Sequence, residues 1–200
     1  MALRHALGNH TQNSGDFMEN SASDVQALMK LVKRVDDRQQ LAELVSRYGV
    51  AVDDRDFETV AAMFAPDGEF NGIKGRQAVI DHYRERTALF TTSSHFAHTW
   101  HFDFDDEDSP CGTISAHAEL CIGGKAIEVS LRYLDRYERG DKGWMFKSRN
   151  LRFRYVLPLD EVANGLDSPS RVRWPGTQPV AADLPDPLPT YIASRKSVPR

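Results

Sequence analysis

The chain has 200 residues, 40% of them hydrophobic and 27% charged, with a formal net charge of −4. That length suits one domain with spare chain at its ends, and a weakly acidic balance argues against nucleic acid as a partner. No apolar run approaches the roughly 18–20 residues of a membrane span and the start of the chain has no secretory apolar segment, so a cytoplasmic protein without a membrane partner is expected.

Residues 1–22 are rich in Asn, Ser, Gly and Thr without periodicity and read as a mobile N-terminal arm. Val25, Leu28, Leu31, Val32 and Val35 then recur at helical spacing, and Leu41, Leu44, Val45, Tyr48 and Val52 repeat it after Asp36 and Asp37, a cap signal. The spacing predicts two helices or one bent helix. Asp56 is placed to cap a short helix running to Phe64, and Ala65-Pro66-Asp67-Gly68 has the composition of a turn. Gly75 precedes a further helix from Arg76 to Thr87.

Beyond this the apolar period becomes two. Phe96, His98, Trp100, Phe102 and Phe104 alternate with Ala97, Thr99, His101 and Asp103, and Ile114 to Ile122 alternate likewise, as half-buried strands do. Gly123-Gly124 makes a hairpin into Ile127, Val129, Leu131 and Tyr133, and residues 140–143 make another before Trp144. Helices first and an antiparallel meander afterwards is an α+β order, with the domain over residues 23–158. The extension over 159–200 is rich in proline and either is disordered or lies extended over a surface, its own or a neighbouring subunit's. Leu157, Leu159, Val162, Leu166 and Trp174 favour partial docking. Cys111 and Cys121 lack CxxC spacing and suggest neither a disulfide framework nor a zinc site.

Chemistry has few candidates. Asp53 stands where the apolar stripe through Tyr48 ends, either as a carboxylate looking into the covered space or as part of an acidic loop with Asp54 and Asp56. In a regular strand His98 faces away from His95 and His101, which share a face but lie about 20 Å apart, so these histidines do not share a metal ion. Near the end of the domain, Trp144 and Phe146 set one strand phase while Leu151, Phe153 and Tyr155 set the other. A bulge between Lys147 and Asn150 accounts for the slip and turns Arg149 inward. An inward guanidinium needs a fixed carboxylate, such as Asp135 or Glu119, or a ligand oxyanion.

Several segments together resemble the SnoaL-like, or nuclear transport factor 2-like, superfamily. These are Arg47-Tyr48 with Asp53 and Asp56, the Phe64-Ala65-Pro66-Asp67 turn, a histidine opening a strand, Tyr133 to Arg139, Trp144-x-Phe146-x2-Arg149-Asn150, and Tyr155-x2-Pro158-Leu159. The likeness covers about residues 36 to 160 and leans towards its lyase branch, which includes scytalone dehydratase, bile-acid 7α-dehydratase and hexachlorocyclohexane dehydrochlorinase. It implies a cone-shaped curved antiparallel sheet packed on N-terminal helices, commonly a homotrimer, with no metal and no organic cofactor. It places the family's catalytic aspartate, histidine and arginine on Asp53, His95 and Arg149, with Tyr48 beside them. His98, Phe64, Trp100 and Tyr133 are expected to contact a hydrophobic small-molecule substrate.

The expected activity is a dehydratase-type lyase acting on a cyclic or polyketide-like molecule. An isomerase or cyclase using the same residues, or a non-catalytic binding module, are the alternatives. If His95 marks the concave face, the side bearing Phe96, Trp100, Phe102 and Phe104 is convex, and so much aromatic area calls for cover by a homo-oligomer.

Overall fold

The computed structural model describes residues 12–196, with side chains over residues 23–196. The chain divides between Gln40 and Leu41 into two compact units. The expected arm over 1–22 lies outside the described residues as far as residue 11, and from Gln12 its backbone is already helical.

Helix α1 spans Gln12–Asp53 without a break. Asp36 and Asp37 do not cap a second helix because their side chains are engaged one turn away. Lys33 donates to Asp37 at 3.1 Å and Gln40 donates to Asp36 at 2.6 Å. These i,i+4 pairs support a continuing helix. In this first unit Val25, Leu28, Leu31, Val32 and Val35 are exposed.

In the second unit, α1 buries Leu41, Leu44, Val45, Tyr48, Ala51 and Val52 in the core. Each large side chain so buried contributes about 1.5–3 kcal/mol. Asp56 caps α2 (Phe57–Met63) by accepting from the Thr59 N–H at 3.0 Å, as its position predicts. Strand β1 (Phe64–Phe70) follows directly, so the expected turn at Ala65 to Gly68 is instead an irregular stretch inside a strand. Strand β2 (Ile73–Lys74) and helix α3 (Arg76–Thr87) come next. The long strands are β3 (Phe90–Asp103), β4 (Cys111–Ile122), β5 (Lys125–Gly140) and β6 (Gly143–Pro158).

The six strands form one curved, unclosed sheet in the order β2-β1-β6-β5-β4-β3. From β3 to β6 it is the expected antiparallel meander, but β1 runs parallel to β6 and makes the sheet mixed. Gly123 and Gly124 have φ of +57° and +78°, the left-handed pair that a two-residue hairpin turn requires. Cys111 and Cys121 are half-buried free thiols.

Three of the sheet's bulges bear on the faces expected from the apolar alternation. Tyr137 pairs with Phe146 and Arg136 with Ser148, so Lys147 is the extra residue, and Phe146 and Arg149 share the inner face as the phase slip predicts. Ser130 pairs with Tyr155 and Leu131 with Phe153, so a second bulge at Arg154 separates Tyr155 from the phase of Leu151 and Phe153. Its hydroxyl donates to Glu128 at 2.7 Å on the outer face. The third bulge overturns the expected faces of β3. Ala97 pairs with Ala116 but Thr99 with Ser115, leaving His98 as the extra residue. Beyond it Trp100 pairs with Ile114 and Phe102 with Gly112, so these rings share the face of His95, and His101 does not. Phe102 and Phe104 are buried in the core, so of the four rings expected on a convex aromatic face only Phe96 points away from the face of His95.

The C-terminal extension docks on its own chain. After a 3-10 turn (Leu159–Glu161) and α4 (Val162–Gly165), it runs beside β6, exchanging the bonds Val156 N–H to Arg171 C=O at 2.9 Å and Arg173 N–H to Val156 C=O at 2.8 Å. Trp174 packs edge-on against Phe153, and the Arg86 guanidinium lies over its ring. Helix α5 (Pro189–Lys196) ends the described chain. The extension therefore covers the part of the β6 edge that β1 leaves free, which removes an exposed strand edge. No helix among the described residues is long and apolar enough to cross a membrane.

Candidate active site

Asp53 is the last residue of α1, and His95 lies on the inner face of β3. Gly49, one turn earlier in α1, allows the helix and strand to approach. A β-carbon there would sit 3.2 Å from the His95 carbonyl oxygen. The Asp53 carboxylate accepts from His95 Nδ1 at 2.6 Å, from the His95 backbone N–H at 2.7 Å and from Ser93 Oγ at 2.8 Å. Burial pushes this carboxyl up, but the hydrogen bonds and charge of His95, with the Ser93 hydroxyl, outweigh it and hold Asp53 below the usual carboxylate value. An ionised carboxylate can only accept, so His95 Nδ1 is the donor, and in the neutral ring the lone pair then lies on Nε2. That is the tautomer a general base needs.

A cavity of about 300 Å³ opens beside this pair, lined by Val45, Ser46, Tyr48, Gly49, His95, Phe96, Ala97, His98, Ala116, Tyr133 and Arg149. Arg149 is fully buried and gripped from two sides. Its Nε and Nη2 donate to Asp135 at 3.0 and 2.8 Å, and the rings of Tyr48, Tyr133 and Phe146 each lie 4.1 Å from its central carbon. Burial by itself would lower the Arg149 pKa, but the charge and hydrogen bonds of Asp135 reverse this and keep the guanidinium charged. Among the described residues its Nη1 has no hydrogen-bond partner. An orphaned, buried donor of this kind is costly, and in a residue that lines a cavity an oxygen of a bound molecule would satisfy it.

The phenols around Arg149 are donors, not bases. Tyr48 and Tyr83 share a hydroxyl contact of 2.6 Å, and burial raises the pKa of both, as it does for Tyr133. All three remain protonated at neutral pH.

The cavity therefore brings together Tyr48, His95, Tyr133 and Arg149, with Asp53 behind His95. His98 also lines it, although its ring stacks on His117, which in turn stacks on Phe96. The other two expected contacts lie elsewhere. Phe64 is fully buried among Phe70, Tyr83 and Phe146, and Trp100 is 47% exposed and does not line the cavity. Tyr83, Ser93 and Arg55 were not legible as site residues. Tyr83 reads as part of the apolar stripe of α3, and the other two join the site only through the approach of α1 to β3. No group of three or more His, Cys, Asp or Glu among the described residues is arranged to hold a metal ion.

A larger, more open depression of about 1230 Å³ lies between β5–β6 and the C-terminal extension. Its Arg171 is engaged by Asp186 at 2.7 Å and its Arg195 by the Tyr191 hydroxyl at 2.9 Å. None of the described residues that line it is a histidine, so size does not make it the chemical centre.

The family described as the SnoaL-like domain matches residues 33–150. The chain belongs to this family. Among solved structures, this SnoaL-like chain is similar to LinA at 25% identity and a TM-score of 0.61, covering 66% of this chain and 95% of LinA. It is similar to LinA-type3, a hexachlorocyclohexane dehydrochlorinase from Novosphingobium barchaimii, at 24% identity and a TM-score of 0.60, covering 66% and 95%. A putative scytalone dehydratase from Novosphingobium aromaticivorans shares 21% identity at a TM-score of 0.59, covering 62% and 89%. No curated protein matches. The likenesses agree with the fold described above, helices packed on an open sheet.

Proposed function

We propose that this SnoaL-like protein is a cofactor-independent lyase, a dehydratase acting on a neutral, hydrophobic cyclic or polyketide-like molecule. The observation that carries the reading is the Asp53–His95 contact beside a cavity lined by Arg149, whose Nη1 lacks a partner among the described residues. His95 Nε2 takes a proton from a carbon next to an activating group, while Asp53 stabilises the resulting imidazolium. The electrons of the broken C–H bond form the new double bond, and the C–O bond on the neighbouring carbon breaks. Arg149 Nη1 and the Tyr48 hydroxyl donate to oxygen as it gains charge, as an oxyanion site does. The departing hydroxide leaves as water with the proton from His95. Tyr133 and His98 border the bound molecule.

Isomerisation or cyclisation begins with the same proton removal, and the product separates them. The test is to incubate the protein with cyclic β-hydroxy carbonyl compounds that fit about 300 Å³ and follow loss of water by mass, with deuterium exchange at the activated carbon in heavy water as a second readout. Water loss and exchange that both vanish in His95→Gln support the reading. Exchange unchanged in that variant would end it. A trimeric assembly and a cytoplasmic location complete the proposal. Light scattering that gives a monomer at micromolar concentration would remove the first, and fractionation of the producing cells tests the second.

A further inference from the structure

Asp53 stands at the C-terminal end of α1, where the helix dipole disfavours a negative charge. Something outside the helix must compensate. Two residues later Arg55 takes φ of +60°, the left-handed conformation that usually falls to Gly or Asn after a helix. A long cationic side chain at this strained position folds back over the helix end. Its Nη1 donates to the Val52 carbonyl at 2.9 Å, to the Asp53 carbonyl at 3.2 Å and to Ser93 Oγ at 2.8 Å. A guanidinium can only donate, so Ser93 Oγ is an acceptor in that contact and its single hydrogen is left for the Asp53 carboxylate 2.8 Å away. The direction of every bond is thereby set, from Arg55 to Ser93 to Asp53, with His95 Nδ1–H completing the carboxylate's shell.

We propose that Arg55 and Ser93 are positioning residues for the Asp53–His95 pair and act in series, Arg55 orienting the Ser93 hydroxyl and Ser93 orienting the carboxylate. Neither lines the cavity, so neither is catalytic. The role rests on the reading of Asp53 and His95 as the base pair. The hydrogen-bond chain itself does not, and the two are measured separately. The titratable and charged groups that bear on the carboxylate are His95 from β3 and, through Ser93, Arg55 from the turn after α1. Asp56 in the same turn is occupied in capping α2.

The experiment follows the Asp53 side-chain carboxyl by carbon-13 NMR against pH in substrate-free protein. In Ser93→Ala its titration moves to higher pH by about half a unit, because one donor to the charged form is lost. Arg55→Met moves it in the same direction by less, and the double variant matches Ser93→Ala alone. Ser93→Thr restores the wild-type midpoint. Should Arg55→Met unfold the helix end, Arg55→Lys is read in the same way. A wild-type midpoint in Ser93→Ala would overturn the proposal. An Arg55 effect that persists undiminished without the Ser93 hydroxyl would do the same, since it would act as a charge through space. With a substrate in hand, the acid limb of kcat/KM moves in these variants while KM holds. Turnover that survives His95→Gln would remove the catalytic role and leave the NMR result standing.

Discussion

Arg149 and Asp135 face each other across β5 and β6, joined by hydrogen bonds of 3.0 and 2.8 Å, and neither side chain reaches solvent. Breaking the pair from one side leaves a buried charge uncompensated. Asp135→Asn or Arg149→Met is expected to cost about 3–5 kcal/mol in chemical denaturation. The double variant Arg149→Met with Asp135→Leu should cost less than the sum of the single changes, because both charges leave together.

Removing the acid–base pair acts on turnover more than on folding. His95→Gln and Asp53→Asn are each expected to lower kcat by about 10²–10⁴-fold. Asp53→Asn can also present an amide N–H to His95 Nδ1 and so reverse the ring tautomer. Steady-state kinetics beside thermal melts separate this loss from misfolding.

Asp53 also makes stability depend on pH. Its carboxyl lies below the ordinary value of 3.8 in the folded protein. The folded state therefore binds this proton less readily than the unfolded chain does. The stabilisation is present above the ordinary carboxylate value and is lost as pH falls from 3.8 through the folded-state value. Denaturation midpoints measured downward from pH 5 are expected to fall less steeply in Asp53→Asn than in wild type.

Gly49 controls how closely α1 approaches β3. Gly49→Ala brings a methyl to 3.2 Å from the His95 carbonyl oxygen and 3.6 Å from its β-carbon. A shift of a few tenths of an ångström between helix and strand is the expected response, with a fall in kcat of about 10-fold. Circular dichroism should change little, and the His95 Nδ1–H proton resonance should report a weakened bond to Asp53.

Truncation before Pro169 strips the cover from β6. Val156 loses its bonds to the Arg171 carbonyl and the Arg173 N–H, and Phe153 loses its contact with Trp174. Lower thermal stability and concentration-dependent association through the freed edge are expected, and scanning calorimetry with light scattering reads both.

Much of this protein follows from local pattern. The helix from Arg76 to Thr87, the Asp56 cap and the Gly123-Gly124 hairpin depend on spacing and backbone freedom that a short window of residues carries by itself. The inward turn of Arg149 was legible because a bulge leaves its mark in the order of apolar residues along β6. The bulge at His98 left none, because β3 is an edge strand whose residues are mostly exposed on both faces and whose apolar alternation runs on unbroken across it. The pairing with β4 reveals it. Asp36 and Asp37 misled for a related reason, since a cap signal cannot say whether the aspartates will find partners within a continuing helix.

The order of elements, the α+β class and the inward arginine follow from periodicity and backbone chemistry between near neighbours. That Asp53 meets His95, that Asp135 rather than Glu119 holds Arg149, and that Arg55 reaches Ser93 emerges in the folded chain. These contacts join residues far apart along the chain or on different elements. Their distances depend on where α1 crosses the sheet and on strand register, and those are set by the packing of the whole core.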